Sequence, residues 1–406
     1  MTDQSRSWLG AAEDALRAAP PTGLLFTARS LLATYLDARW VTLLLADYGL
    51  TVLQPVTRLP HTGEAVPVRG EHPAGRAFSA QAAVVEVAGE PGMVTVHLPI
   101  TVRGDRLGVL SVHLPEPARG TPGVLELAAF ATAIGHELLV AERDTDLYLQ
   151  GRRRKRLTLA AEMQWQLLPG RGLTQNEYTL GAHLEPAYAI GGDNFDWTTT
   201  DDHLTITVSD GRGTGIQAAL LTNLTVSALR NARRAGISLS DQACLADQAI
   251  YGEYGGALYS ATLLLRFDLT TGHVQAVDAG SPQLFCQRQD TVERIELETQ
   301  MPLGMFEETE YREQSLNVKP GDRLVIVSSG VHKAQSRDGS VFGERALRET
   351  IAATRGSSTH ETARAVVDAL VQYHGSHDLP NDAAVVCLDW RGRPNTPVSA
   401  AAAPAD

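Results

Sequence analysis

Cysteine is scarce in this chain of 406 residues. Cys244, Cys286 and Cys387 are odd in number, scattered, and lack metal-ligand spacing. This argues against a disulfide framework or a cysteine metal site, and for free thiols in a reducing compartment. Positive charge is also short: 35 Lys and Arg face 47 Asp and Glu, a formal net charge of −12. Sequence-independent nucleic-acid binding needs a basic surface, so no nucleic-acid partner is expected. No apolar run reads as long enough to span a bilayer, and the N-terminus lacks a basic patch followed by an apolar core. A cytoplasmic protein without membrane contact is expected. There is no Ser/His/Asp or Cys/His motif and no phosphate-binding P-loop.

What is present is a soluble globular composition, 43% hydrophobic and 20% charged, in a chain long enough for two or three domains. Two glycine-flanked acidic turns stand out: Gly191-Gly192-Asp193-Asn194-Phe195-Asp196 and Ser209-Asp210-Gly211-Arg212-Gly213-Thr214-Gly215. Between them, Trp197 to Thr199, a Thr200-Asp201-Asp202 turn, and the alternating Leu204 to Val208 read as a short hairpin. An antiparallel pair brings both flanks to one end. Asp193, Asp196 and Asp210 are therefore expected to converge, with glycines that admit close backbone approach. Clustered carboxylates and an exposed carbonyl suit a hard cation such as Mg²⁺ or Mn²⁺. Each turn alone would read as an ordinary Gly/Asp turn; the pair across a hairpin favours a site.

The rest of the chain divides by pattern. Residues 1–21 carry an N-terminal helix that ends at Pro20-Pro21. Residues 22–120 alternate a helix, the strands Trp40–Leu45 and Leu50–Val56, a short helix Pro73–Ala80, a strand Ala83–Val87, and a hairpin of Met93–Ile100 with Arg106–Val112. This is an α+β domain with an antiparallel sheet. Residues 121–168 read as a long connecting helix whose seam of Leu127, Phe130, Ile134, Leu138 and Ala141 suits a second helix. Dimer stalk and plain linker are both open readings. The run Arg152 to Arg156 reads as a solvated helix face. Residues 170–392 form a second, strand-rich domain, and 393–406 read as a disordered tail.

The order of elements in residues 22–120, with His72-Pro73-Ala74-Gly75-Arg76-Ala77-Phe78 and the final HLPITVRGDRLGVLSVHL hairpin, resembles a GAF domain. Such domains bind small ligands or dimerise; no Cys or His here marks a haem, bilin or metal site, so the ligand is unknown. The second domain carries an ordered set of landmarks. These are Ala161-Glu-Met-Gln164 with Leu167-Leu168-Pro169, Gly191 to Asp196, Val208 to Leu220, Ala279-Gly280-Ser281-Pro282, Pro302-Leu303-Gly304, Pro320-Gly321-Asp322, and Phe342-Gly343. The set resembles the PPM-type metal-dependent protein phosphatases of the SpoIIE-like bacterial branch. The resemblance implies an αββα sandwich and a pair of Mn²⁺ or Mg²⁺ ions that activate a water. It further implies Asp210 as a bridging, catalytic carboxylate, a Gly211 carbonyl ligand, and Asp193 and Asp196 in or beside the metal set.

Two departures stand at ligand positions of that pattern: Ser329 replaces an aspartate in Ser328-Ser329-Gly330, and Asn381 replaces one in Asn381-Asp382. Losing two charges weakens a hard-cation site. Rescue by Asp382 is not expected, since adjacent strand residues face opposite ways. Ser281 stands where histidine is common. Asp278 reads as a turn cap, and His332 and Lys333 as surface loop residues. Two functions follow. One is a serine/threonine phosphatase with impaired activity, directed at phosphoserine on anti-sigma-factor antagonist proteins, controlled through the GAF-like domain, and homodimeric. The other is a non-catalytic pseudophosphatase that binds signalling partners.

Overall fold

The computed structural model describes residues 3–56, 64–87, 89–116, 123–153, 158–187, 191–336, 339–376 and 379–393. The tail and most of the basic run lie outside them. The chain divides into two units, Met1–Thr158 and Leu159–Asp406.

The first unit runs α1 (Asp3–Ala18), α2 (Leu24–Leu36), β1 (Trp40–Ala46), β2 (Val52–Pro55), β3 (Val66–Pro67), α3 (Pro73–Ala80), β4 (Val84–Val87), β5 (Met93–Val102), β6 (Asp105–Pro115), α4 (Val124–Ala141) and α5 (Leu147–Gly151). Its antiparallel sheet has the order β3-β2-β1-β6-β5-β4. Arg103 and Gly104, both at positive φ, form the tight turn between β5 and β6. Alternation along the strands sorts the two faces. Val94, Val96, Leu98 and Ile100 of β5 pack with residues of α1, α2 and α4, while Leu44, Ala46 and Val109 meet Ala74 and Phe78 of α3.

The expected long helix over 121–168 is not continuous. It is divided into α4, α5 and α6 (Leu159–Leu167), and α6 falls in the second unit. The seam Leu127, Phe130, Ile134, Leu138 and Ala141 is buried in the first unit's own core. Its period of three and four is that of any helix face against a partner, and here the partner is the sheet. By length and composition α4 is also apolar enough to cross a membrane, with mean hydropathy 1.6 over 18 residues, which corrects the expectation that no run reaches that length. One face of it is buried in the first unit's core, while Leu125 and Val140 on the rest of its surface are exposed.

The second unit continues with β7 (Gly172–Thr174), β8 (Tyr178–Glu185), β9 (Gly192–Thr199), β10 (His203–Gly211), α7 (Gly215–Arg234), α8 (Leu239–Tyr254), β11 (Ser260–Asp268), β12 (His273–Ala279), β13 (Gln283–Arg288), β14 (Thr291–Ile295), β15 (Gln314–Asn317), β16 (Arg323–Val327), α9 (Ser329–His332), α10 (Gly343–Ala353), α11 (Thr359–His374) and β17 (Ala383–Trp390). One sheet has the order β15-β12-β11-β10-β9, the other β14-β13-β16-β17-β8-β7. Leu264, Val277 and Ala279 of the first sheet pack with Leu221, Leu229, Ala243 and Ile250 of α7 and α8. Val325, Val385 and Cys387 of the second pack with Leu347 and Ile351 of α10 and Val366 and Leu370 of α11. Phe267 of β11 stacks on Trp390 of β17 with ring centroids 5.9 Å apart, so the remaining faces of the two sheets meet.

Local chemistry sets the helix ends. The Ser238 hydroxyl accepts from the Asp241 amide at the start of α8, and Gly255 closes that helix at φ 55°. Ser358 and Glu361 form a reciprocal capping box on α11.

Candidate functional site

The β9–β10 hairpin is longer than the sequence suggests. Both strands extend through the acidic segments, pairing Gly211 with Gly192, Asp210 with Asp193, and Thr207 with Asp196. Asp193 and Asp210 are therefore direct cross-strand neighbours on the face turned toward β17, as expected. Asp196, three residues along the strand from Asp193, lies on the opposite face. There Arg230 of α7 grips it with Nε to Oδ2 at 3.1 Å and Nη2 to Oδ1 at 2.8 Å, while Arg233 Nη1 adds 3.0 Å. The expected convergence of all three aspartates is thus corrected: strand alternation removes Asp196, which fastens α7 to the sheet. Arg230 also donates to the Leu167 carbonyl at 2.7 Å, which ties in the end of α6.

Asp193 is only 4% exposed, and its Oδ2 has no hydrogen-bond partner. Burial first, then the charges of Asp210 and Asp382, push its carboxyl well above the usual carboxylate range; Ser328 and the Ala384 amide pull the other way. Asp210 is pushed up by burial as well, opposed by the hydroxyl and amide of Ser329 and by the Lys333 charge. The Ser329 amide donates to Asp210 Oδ2 at 3.3 Å.

Glycine is required where the strands crowd. A Cβ on Gly192 would lie 2.5 Å from the Gly211 carbonyl oxygen, and one on Gly330 only 1.7 Å from the Asp382 carbonyl oxygen. The second contact shows how tightly the Ser328-Ser329-Gly330 corner crosses the start of β17.

Asp382 does reach this region, though not as a spare ligand. Its Oδ1 accepts from the Ala187 and Gly191 amides at 2.7 and 2.9 Å, and its Oδ2 from Gln164 Nε2 at 2.6 Å. Gln164, on α6, also donates to the Asp193 carbonyl at 2.9 Å. This buried brace sets the entry to β9, and the sequence reading had Gln164 only as a landmark. Asn381 beside it is exposed, with its Cβ facing Gly330. Asp278 caps its turn as expected, accepting from Gly280 N and Thr299 Oγ1, both at 3.0 Å. Burial raises its carboxyl to about 6. His332 is buried rather than on the surface: its Nε2 meets the Ser281 carbonyl at 3.0 Å, so that nitrogen carries the proton, and burial lowers the ring to about 4. Lys333 is exposed, with Nζ 3.1 Å from Ser281 Oγ.

The dinuclear centre implied by the family resemblance does not fit these residues. Among the described residues, no group of three or more His, Cys, Asp or Glu is placed to hold a metal ion. Ser329 and Asn381 bring no charge, and Asp382 is committed to backbone amides and Gln164. What fits is at most one hard cation between Asp193 and Asp210, satisfying the unpartnered Asp193 Oδ2.

Residues 200–391 match the family model described as stage II sporulation protein E, SpoIIE. This supports a SpoIIE PPM-type phosphatase domain in the second unit. The matched stretch takes in Asp210, Gly211, Ser329 and Asn381 and begins after Asp196. The chain is 24% identical over 237 residues to Protein IcfG of Synechocystis, covering 52% of this chain and 37% of that protein. It is 22% identical over 257 residues to phosphoserine phosphatase RsbU of Bacillus subtilis, covering 63% and 76%. Among solved structures, the SiaA-PP2C domain of Pseudomonas aeruginosa aligns with 53% of this chain and 86% of that one, at 22% identity and a TM-score of 0.47.

Proposed function

We propose that this chain is a SpoIIE-like PPM-type protein serine/threonine phosphatase acting in signalling, with turnover impaired at Ser329 and Asn381. The observation that carries this reading is the buried Asp193–Asp210 cross-strand pair, in which Asp193 Oδ2 lacks a partner. One Mn²⁺ or Mg²⁺ ion bound there, with the Gly211 carbonyl as a further oxygen, would supply Lewis acidity toward a phosphoryl oxygen and a bound water. The chain's own residues do the positioning. The Ser329 amide orients the Asp210 carboxylate, and Gln164 with Asp382 fixes the backbone at Asp193.

Similarity to RsbU, a phosphoserine phosphatase, supports phosphoserine as the substrate; that it sits on a regulatory protein of the anti-sigma-factor antagonist class is what the family resemblance implies. The antiparallel sheet of the first unit, with helices on both faces, supports a GAF-like sensor for a small ligand. Two sheets face to face under outer helices support an αββα sandwich. Three free cysteines are consistent with a cytoplasmic protein, and a homodimer completes the reading.

Purified chain is expected to hydrolyse a phosphoserine protein slowly and only with Mn²⁺ or Mg²⁺. Asp210→Asn abolishes this, and Ser329→Asp with Asn381→Asp raises it by about tenfold or more, one decade being about 1.4 kcal/mol of barrier. Absence of metal-dependent turnover in both the natural chain and the double variant sinks the enzyme reading. A non-catalytic binder is then left, a second reading that the missing third ligand favours.

A further inference from the structure

Two cations, Arg212 and Lys333, stand at the end of the β9–β10 sheet where Asp193 and Asp210 lie, and the charge of Lys333 acts on Asp210. Arg212 follows directly on β10. Its amide donates to the Tyr259 carbonyl at 3.0 Å, its guanidinium lies over the Tyr259 ring with Cζ 5.2 Å from the centroid, and Nη1 donates to the Tyr259 hydroxyl. A guanidinium held in this way is preorganised, because stacking and a hydrogen bond remove most of its rotamer freedom. Lys333 follows α9, whose first amide contacts Asp210, and its ammonium is held by the Ser281 hydroxyl at 3.1 Å.

The strand register relates Arg212 to Ser281, the residue that holds Lys333. Asp210 pairs with Ala261 and Gly211 with Ser260. A Cβ on Gly280 would touch the Ala261 Cβ at 2.6 Å. The exits of β10 and β12, Arg212 and Ser281, therefore flank the start of β11 from either side, two strand spacings or about 10 Å apart. Arg212 and Lys333 are exposed, and both donate to neutral hydroxyls, which cancel none of their charge.

A phosphomonoester dianion entering here meets the negative charge of Asp210, which repels it. In a site that lacks ligands for two metal ions, the opposing positive charge must come from elsewhere. We propose that Arg212 and Lys333 form a built-in pair of cations that holds the phosphoserine of a partner protein at the mouth of the Asp193–Asp210 site without a metal. The Ser281 hydroxyl, already on Lys333, offers a neutral donor between them. The proposal rests on the reading of the second unit as directed at phosphoserine, but it separates binding from turnover. Arg–phosphate and Lys–phosphate contacts are charge-assisted, so each is a large share of the affinity for so small an anion.

Calorimetric titration of the full chain with a phosphoserine peptide, in EDTA, tests it. The natural chain is expected to bind the peptide and not its unphosphorylated form. Arg212→Gln and Lys333→Gln each weaken binding about tenfold, and Asp210→Asn strengthens it several-fold by removing repulsion. Both cations are at the surface, so the variants keep the fold, with circular dichroism as the check; Tyr259→Phe, which keeps the ring and loses the hydroxyl, is expected to weaken binding by a smaller factor. Binding that appears only with Mn²⁺ overturns the proposal, as does unchanged affinity in both charge variants. Binding in EDTA without any Mn²⁺-dependent hydrolysis supports it while the phosphatase reading fails; hydrolysis without binding in EDTA does the reverse.

Discussion

Asp193 and Asp196 sit three residues apart on β9 and do different work. Asp193 shares a face with Asp210, whereas Asp196 is held by Arg230 and Arg233 on the other. The convergence of Asp193 with Asp210 was legible in the sequence because hairpin strands place their flanks together. The fate of Asp196 was not, since it depends on whether the strand begins before Trp197, which local pattern leaves open. Asp278 shows burial acting on a single carboxyl. Its folded value, about 6, lies above the ordinary 3.8, so the fold favours the protonated form. That contribution to stability is present below about pH 4 and is lost as pH rises through about 6. Asp278→Asn keeps an acceptor for the Gly280 amide and is expected to be more stable than the natural chain at pH 8, by about 1–3 kcal/mol. The difference vanishes near pH 4. Thermal melts at the two pH values read it, and equal effects at both would contradict it.

At the scale of elements, α7 is anchored as much by charge as by apolar packing. Asp196 is 5% exposed, and it is the shared acceptor for two arginines of that helix. Asp196→Asn strands both guanidinium groups and is expected to destabilise the chain by about 2–4 kcal/mol, less than for a fully buried pair because Arg230 and Arg233 are partly exposed. Mn²⁺ affinity, read by electron paramagnetic resonance, should be almost unchanged; a loss as large as that from Asp193→Asn would restore Asp196 to the metal set. The β9–β10 hairpin of the second unit was readable from alternation and from its Thr-Asp-Asp turn. Not readable were the brace from Gln164 to Asp382 and the contact from Ser329 to Asp210, which join residues 218 and 119 positions apart. Nothing local marks such pairs.

At the scale of the whole molecule, each unit carries a hydrophobic core of its own, and α4 after the first sheet serves that sheet. Leu138, 1% exposed, belongs to the first unit's core rather than to a stalk. Leu138→Ala is expected to cost about 2–5 kcal/mol. In scanning calorimetry the loss falls on the transition of the first unit, while the second keeps its own. A variant that dissociates a dimer and leaves both transitions in place would return the seam to the stalk reading.

By itself, the sequence determined the α+β class, the Asp193–Asp210 pair, and the substitutions at Ser329 and Asn381, because these depend on residue type and on periodicities of two and 3.6. Only the tertiary structure decided which carboxylates share a face, that His332 is buried and Asp382 braced, that the helical seam is used internally, and that Arg212 and Lys333 flank the site. Each of these rests on contacts between distant segments, and strand register, rather than local pattern, sets which side chains meet.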